Sequence, residues 1–198
     1  MALAPAVRNA TARDREGIAA MLARAFLNDP AIAFIWPDPA RRARRSPRLF
    51  RLLFDGDAQA GMRLVTAGGE AAALWRGPGK AEIGTPWLLR RAVPLLNTFG
   101  PALGRALRLA NAIDEHMPPQ PFWYLHIAGC DPAHQGRGFG RAVIQSGLDR
   151  AAGRLPCYLE TANPANLGFY QGLGFAVTGE WRVPGGGPLF WSMLRPPG

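Results

Sequence analysis

The stretch Trp123-Tyr-Leu-His-Ile-Ala-Gly-Cys-Asp-Pro-Ala-His-Gln-Gly-Arg-Gly-Phe-Gly140 decides how this chain folds. Its apolar first part predicts a β-strand, and Asp131-Pro132 ends that strand in a turn. The glycine-rich loop that follows opens a helix, which we predict over residues 138–153. Glycines let the backbone approach a ligand closely, and the first free N–H groups of a helix favour anions. The stretch therefore predicts an anion-binding loop between a strand and a helix.

This loop does not match the sequence patterns of two other kinds of glycine-rich loop. A nucleotide P-loop ends in Gly-Lys-Ser/Thr, whereas Gly140 is followed by Arg141 and Ala142. A dinucleotide fingerprint reads Gly-x-Gly-x-x-Gly early in a long strand–helix repeat, but this loop reads Gly-x-Gly-x-Gly and lies late in the chain. The sequence pattern leaves one alternative open, a structural turn that merely joins a strand to a helix.

The rest of the chain predicts a single α/β domain. A chain of 198 residues with 48% hydrophobic content can bury a sizeable core, and it has no linker long enough to divide two domains. Apolar spacing predicts helices over 14–26, 37–54 and 165–173, with two more helical segments within 83–115. Strands are predicted over 6–9, 63–66, 71–75, 123–130, 155–160, 175–182 and 189–194. This succession implies a mixed sheet with helices on both faces.

The strong positive charge does not by itself indicate a nucleic-acid partner. The net charge is +9 and the sequence pI about 11.1, but Lys80 is the single lysine among 23 basic residues. The arginines are spread along most of the chain, and the cluster at 41–45 is typical of a solvated helix face or of a basic rim for an anionic ligand. We therefore expect no nucleic-acid partner.

Cysteine use and hydropathy indicate a soluble cytoplasmic protein. Cys130 ends one predicted strand and Cys157 begins the next, parallel one, so the two thiols are expected at opposite ends and unpaired. No run approaches the roughly 18 apolar residues of a membrane span, and no signal peptide is evident. The three His and two Cys show no metal-ligand spacing, so no metal site is predicted.

A second motif carries a family resemblance: Tyr158-Leu-Glu-Thr-Ala-Asn-Pro-Ala-Asn-Leu-Gly-Phe-Tyr-Gln-Gly-Leu-Gly-Phe175. With the first loop, it resembles the GCN5-related N-acetyltransferase (GNAT) superfamily. The Gln-Gly-x-Gly-x-Gly loop is similar to that family's acetyl-CoA pyrophosphate site, and Asn-x-x-x-Tyr followed by Gly-Phe is similar to its second cofactor motif. Residues 120–195 resemble most closely the bacterial members akin to puromycin N-acetyltransferase. The resemblance implies a central twisted mixed sheet of about seven strands, splayed between the fourth and fifth.

The resemblance also implies which residues bind acetyl-CoA. Residues 119–198 carry the cofactor motifs, and residues 1–118 shape the acceptor site. Asn163 and Asn166 compete for one role, which is to hold an amide of the pantetheine arm. The predicted cofactor residues are Ala128, Gly129, Cys130, Gln135, Gly136, Arg137, Gly138, Phe139, Gly140, Arg141, Asn163, Asn166 and Tyr170.

Catalysis is expected to proceed by direct attack of a primary amine, without a covalent acyl-enzyme. On the residues alone, Tyr170 is typical of an aromatic ring packed beside Phe169 and Phe175, but with the family resemblance we predict it as the general acid. A phenol is neutral at pH 7 and can donate to a leaving thiolate. Glu160, at the end of its strand, is the predicted general base, although it can equally cap the following turn. His126 is a second candidate for the base and for contact with the substrate, and it is equally typical of a core residue.

Aromatic residues of the first half can line an acceptor pocket. Trp36 and Trp75 are predicted to contact substrate together with His126 and Glu160, and Phe34 and Trp87 are further candidates. Core packing is the better interpretation for most of these aromatic rings. The expected function is acetyl transfer to a small-molecule amine, such as an aminonucleoside or amino-acid-like antibiotic. A protein or peptide N-acetyltransferase and a non-catalytic acyl-CoA-binding regulatory module are the alternatives. The sequence leaves the acceptor, the base and the choice between monomer and homodimer open.

Overall fold

A computed structural model describes residues 5–81 and 92–198, and all structural statements below refer to these residues. The strands are β1 (Val7–Asn9), β2 (Gly61–Thr66), β3 (Ala71–Arg76), β4 (Trp123–Cys130), β5 (Cys157–Thr161), β6 (Ala176–Arg182) and β7 (Leu189–Arg195). The helices are α1 (Arg15–Ala25), α2 (Pro30–Ile35), α3 (Pro39–Gly56), α4 (Ala92–Phe99), α5 (Leu103–Glu115), α6 (Phe139–Ala151) and α7 (Leu167–Gln171). Trp87 and the start of the helical segment predicted from residue 83 lie outside the described residues.

The strands form one mixed sheet in the order β1-β2-β3-β4-β5-β7-β6. Among the described strands, β4 and β5 alone pair in parallel, and the other neighbours are antiparallel. The pairing of β4 with β5 contains two residue pairs, Trp123 with Cys157 and Tyr124 with Tyr158, although β4 continues to Cys130. The two strands therefore part after their first residues, and the predicted sheet with a splay between its fourth and fifth strands is confirmed.

Helices cover both faces of the sheet, as predicted. On one face α1 packs on β3 and β4, with α3 behind it. On the other face α6 packs on β2, β3 and β4. The contact is closest at Gly147 of α6, where a Cβ atom would lie 2.2 Å from Nε1 of Trp75. Trp75 is completely buried there and fixes the height of α6 above the sheet.

A second layer of helices, α2 to α5, covers the far half of the sheet. Asp29 begins α2 by accepting hydrogen bonds from the backbone N–H groups of Ala31 and Ile32, and Pro30 is the first helical residue. Apolar residues of these helices form a cluster with Ala162, Trp181 and Phe190 near the last three strands. This layer lies over the place where β4 and β5 part, and it walls one side of the candidate site.

The two cysteines are free and far apart along the sheet. Cys157 begins β5 and is paired in register with Trp123, whereas Cys130 is the last residue of β4. In the described part of the chain, no helix combines the length and the apolar character needed to cross a membrane.

Candidate active site

The glycine loop has a backbone that only glycine adopts without strain. Gly136 has φ of 73° and Gly138 has φ of 84°, both in the left-handed region. Gly138 directly precedes α6, so the turn aims the first N–H groups of a 13-residue helix into the loop. Asp131 anchors the approach to the loop by accepting from the N–H of Ala133 and pairing with Arg24 of α1.

A cavity of about 560 Å³, here called the loop cavity, lies along this loop and the end of β4. Every predicted cofactor residue except Arg137 lines it, including Gly136, Gly138 and Asn166. Arg137 is exposed, with its guanidinium carbon 5.6 Å from the centre of the Phe139 ring. Flexible glycine backbone, a long helix N-terminus and a cavity of this size together fit a pyrophosphate carrying an extended arm.

A second cavity of about 310 Å³, here called the helix cavity, lies between the layer α2 to α5 and the sheet. It continues from the loop cavity, because both are lined by Phe26, Asp29, Ala128, Asn166 and Tyr170. The two cavities therefore meet beside the splay, at the side chain of Tyr170.

Tyr170 is held rigidly at this junction. It is 8% exposed, and its ring lies edge-on to Phe169 and Phe175, with centroids 5.3 Å and 6.1 Å away. Burial raises the pKa of the phenol above its usual range, and the nearby carboxylates of Asp29 and Glu160 raise it further. The hydroxyl therefore keeps its proton at neutral pH and is available as a donor.

Glu160 faces the helix cavity from β5. The hydroxyl of Tyr124 donates to its Oε1, whereas Oε2 is buried with no hydrogen-bond partner among the described residues. Burial raises the pKa of Glu160 to about 8, although the Tyr124 hydrogen bond and the charge of Arg76 oppose that rise. The side chain of Asn163, not Glu160, caps the turn that follows β5.

His126 is oriented by a buried carboxylate that the sequence did not reveal. Its Nδ1 lies 2.7 Å from Oδ2 of Asp57, and the other oxygen of Asp57 accepts from Nε of Arg76 at 2.7 Å. Burial lowers the pKa of His126 more than the hydrogen bond with Asp57 raises it, so the imidazole is neutral at pH 7. A proton on Nδ1 directed at Asp57 leaves Nε2 as an acceptor.

Comparison with known proteins agrees with this geometry. The profile of the Acetyltransferase (GNAT) family matches residues 106–175. A Corynebacterium glutamicum structure, described as "histone acetyltransferase HPA2 and related acetyltransferase", superposes with a TM-score of 0.75 at 29% identity. The superposition covers 99% of this chain and 98% of that one. Residues 106–175 are therefore similar to GNAT acetyltransferases, and the chain as a whole shares the fold of the Corynebacterium protein.

Two curated relatives match over shorter stretches of this chain. N-alpha-acetyltransferase RimI of Mycobacterium tuberculosis is 47% identical over 65 residues, which are 31% of this chain and 40% of the relative. A mycothiol acetyltransferase of a Nocardioides species is 40% identical over 55 residues, or 26% of this chain and 19% of the relative. The chain thus spans less than half the length of these relatives. These likenesses agree with the predicted GNAT superfamily, whereas the narrower likeness to puromycin N-acetyltransferase stays a prediction.

The structure separates the two asparagines that competed for the pantetheine arm. The side-chain oxygen of Asn163 is occupied by the N–H of Ala165, at 3.1 Å. The amide of Asn166 has one long contact, 3.5 Å to Oγ1 of Thr161, and it lines both cavities. Asn166 is therefore better placed to exchange a hydrogen bond with a ligand at the junction.

The structure does not bring two predicted substrate residues, Trp36 and Trp75, to the site. Trp36 is 1% exposed and stacks on Phe99, with ring centroids 5.5 Å apart. Trp75 is buried under α6, on the other face of the sheet. Neither tryptophan is among the described residues that line the helix cavity, because each of these large apolar side chains packs between the layers of the fold. Of the four predicted substrate residues, His126 and Glu160 line it.

Proposed function

We propose that this protein is a GNAT acetyltransferase that transfers the acetyl group of acetyl-CoA to a primary amine of a small molecule. The observation that carries this proposal is the meeting of the two cavities at Tyr170. One cavity has the chemistry of a phosphate-binding groove, and the other places a raised-pKa carboxylate within reach of an acceptor.

The loop cavity holds the groups that CoA needs. The N–H groups around Gly136, Gly138 and Gly140 would bind the pyrophosphate, and Arg141 adds positive charge at the same wall. Beyond Tyr124, the β4 edge at the splay is unpaired with β5 in the described register, so its backbone can pair with the pantetheine arm as an added strand does. When bound, acetyl-CoA supplies an acetyl thioester to the junction.

Glu160 would remove the proton that prevents an ammonium group from reacting. Free ammonium groups have a pKa near 10, so a carboxylate with a pKa of about 8 is a weaker base by about two orders of magnitude but remains competent. Its unpartnered Oε2 is the acceptor atom, and the Tyr124 hydrogen bond fixes the rotamer. The proton therefore moves from the amine to a buried oxygen that favours the protonated state.

Tyr170 would supply a proton on the other side of the junction. Its phenol is held protonated by burial and faces both cavities. Cys130, the one thiol at the site, is a poor nucleophile because burial raises its pKa. Direct transfer between the two ligands, with no acyl-enzyme, is the mechanism these side chains support.

The same residues bear on two other functions, a peptide N-acetyltransferase and a non-catalytic acyl-CoA-binding module. The likeness to RimI favours an N-terminal peptide acceptor, although it extends over 65 residues only. A non-catalytic acyl-CoA-binding module would need the loop cavity but would leave Glu160 and Tyr170 without a role. The buried, unpartnered Oε2 of Glu160 is costly to keep, which supports catalysis over binding alone.

The test is thiol release from acetyl-CoA in the presence of a broad panel of amines and an N-terminal peptide, with product masses measured in parallel. The proposal expects acetylated small amines and a Tyr170→Phe variant that still binds acetyl-CoA but turns over slowly. Acetylation of the peptide alone would favour the second function. Tight acetyl-CoA binding without turnover on any acceptor would favour the binding module.

A further inference from the structure

Most of the side chains with which α2 to α5 line the helix cavity are apolar, although Asn111 and Asp114 of α5 also line it. Each of the four helices α2 to α5 contributes aliphatic or aromatic side chains, among them Ile32, Leu53, Leu95 and Leu109. At about 310 Å³, the cavity is at the small end of the range for small-molecule sites. A ligand that fills this space therefore has a compact apolar body.

The other polar groups of the cavity lie at its sheet side and at the start of α2, and most of them already have hydrogen-bond partners. Arg76 is bound by Asp57 at 2.7 Å and by the carbonyl of Ala81 at 2.7 Å. One carboxylate oxygen of Asp29 accepts hydrogen bonds from the N–H groups at the N-terminus of α2. Oε2 of Glu160 is the buried lining atom that lacks a partner among the described residues. The cavity thus offers a principal place for one cationic nitrogen, at its inner end.

We propose that the acceptor is a compact apolar monoamine, an arylalkyl- or branched alkylamine, whose nitrogen binds at Glu160 and whose body lies between α2 and α5. This inference rests on the proposed transferase function and names its substrate class. The apolar body gains by leaving water, and the single ammonium group meets the buried oxygen of Glu160 that has no partner among the described residues.

Other amines bring groups that this cavity does not match. The α-carboxylate of an amino acid needs a cation, and the two basic side chains that line the cavity are Arg76, which is paired with Asp57, and the neutral His126. A polyamine brings a second ammonium group, whereas the other lining carboxylates, Asp29 and Asp114, already have partners. A peptide brings backbone N–H and C=O groups that would lose water against leucine and isoleucine side chains.

The experiment compares four probes of the wild-type protein: 2-phenylethylamine, putrescine, phenylalanine and an alanyl tripeptide. Binding is measured by isothermal titration with CoA present, and kcat/KM with acetyl-CoA is measured separately. We expect 2-phenylethylamine to bind and react at least tenfold better than the other three. A preference for any of the other three overturns the inference while the transferase function stands. Failure of all four to bind also overturns it, and the loss of acetyl-CoA binding would mark failure of the proposed function itself.

A matched pair of variants on α4 locates the binding site. Leu95 is half-buried and lines the cavity, whereas its neighbour Leu96 is 55% exposed and is not among the lining residues. Leu95→Ser is expected to raise KM and Kd for 2-phenylethylamine by about five- to tenfold with little change in kcat, because an apolar contact of the body is lost. Leu96→Ser is expected to change neither. Equal effects of the two substitutions would show that the amine does not occupy this cavity.

Discussion

Replacement of Glu160 by glutamine is expected to stabilise the protein at alkaline pH while it removes activity. The carboxyl group has a pKa of about 8 in the folded state because of burial, against 4.5 as its ordinary value. Between these values the folded state binds a proton that the unfolded state has released, so wild-type stability falls as pH rises from about 4.5 to about 8. At about 1.4 kcal/mol per pKa unit, the full difference is about 5 kcal/mol as an upper figure.

The amide of Glu160→Gln does not titrate, and its oxygen can still accept the hydrogen bond of Tyr124. The variant should therefore gain stability relative to wild type steadily between pH 5 and pH 8 and keep that gain above pH 8. Urea denaturation at a series of pH values measures the gap. Asp149→Asn is the control, because Asp149 is exposed and bonded to Gln145. Parallel stability curves for wild type and Glu160→Gln would refute the buried, raised-pKa carboxylate.

The same substitution has a kinetic signature. A general base must be deprotonated, so wild-type kcat/KM should decline as pH falls through about 8 and be about 100-fold lower at pH 6 than at pH 9. In Glu160→Gln the limb assigned to this group should vanish and kcat should fall by about 10² to 10⁴. An unchanged pH profile in the variant would show that another residue is the base, and the neutral imidazole of His126 would be the next candidate.

Three further substitutions test other parts of the site. Tyr170→Phe should lower kcat by about 10²-fold or more and leave the acetyl-CoA affinity in a titration unchanged. A variant with the wild-type kcat would show that Tyr170 is not the general acid. Asp57→Asn should cost about 3–5 kcal/mol in urea denaturation, because it leaves Arg76 buried without its carboxylate, and a loss below 1 kcal/mol would contradict that pairing. Gly138→Ala forces a φ of 84° on alanine, so it should cost about 1–2 kcal/mol and weaken acetyl-CoA binding. Gly17→Ala on α1, where nothing lies within 4 Å of the added Cβ, should stabilise instead, and equal effects would contradict the strained loop.

Local sequence signals were sufficient for the strand, loop and helix that we propose to bind the cofactor. β4 has the bounds that the apolar run predicted, 123–130, and α6 begins one residue after the predicted start. Gly136 and Gly138 adopt left-handed backbone because the loop must turn sharply before the helix. Strand, turn and helix are adjacent in sequence here, so no long-range contact is needed to recognise them.

The proposed acceptor site depends on contacts between distant residues, which a single sequence does not reveal. Asp57 lies 69 residues from His126, and the two meet only because α3 ends beside β4. Tyr124 and Glu160 meet across the splay, 36 residues apart. Trp36 and Trp75 have the composition expected of a pocket wall, yet burial against Phe99 and α6 uses both of them in the core.

Isothermal titration of acetyl-CoA into the folded wild-type protein tests the central claim most directly. Binding at the loop cavity predicts one site per chain with micromolar affinity, competition by CoA, and clear weakening in Gly138→Ala. No detectable binding to a protein that is folded by circular dichroism would contradict the account, and the glycine loop would then be only a turn between β4 and α6.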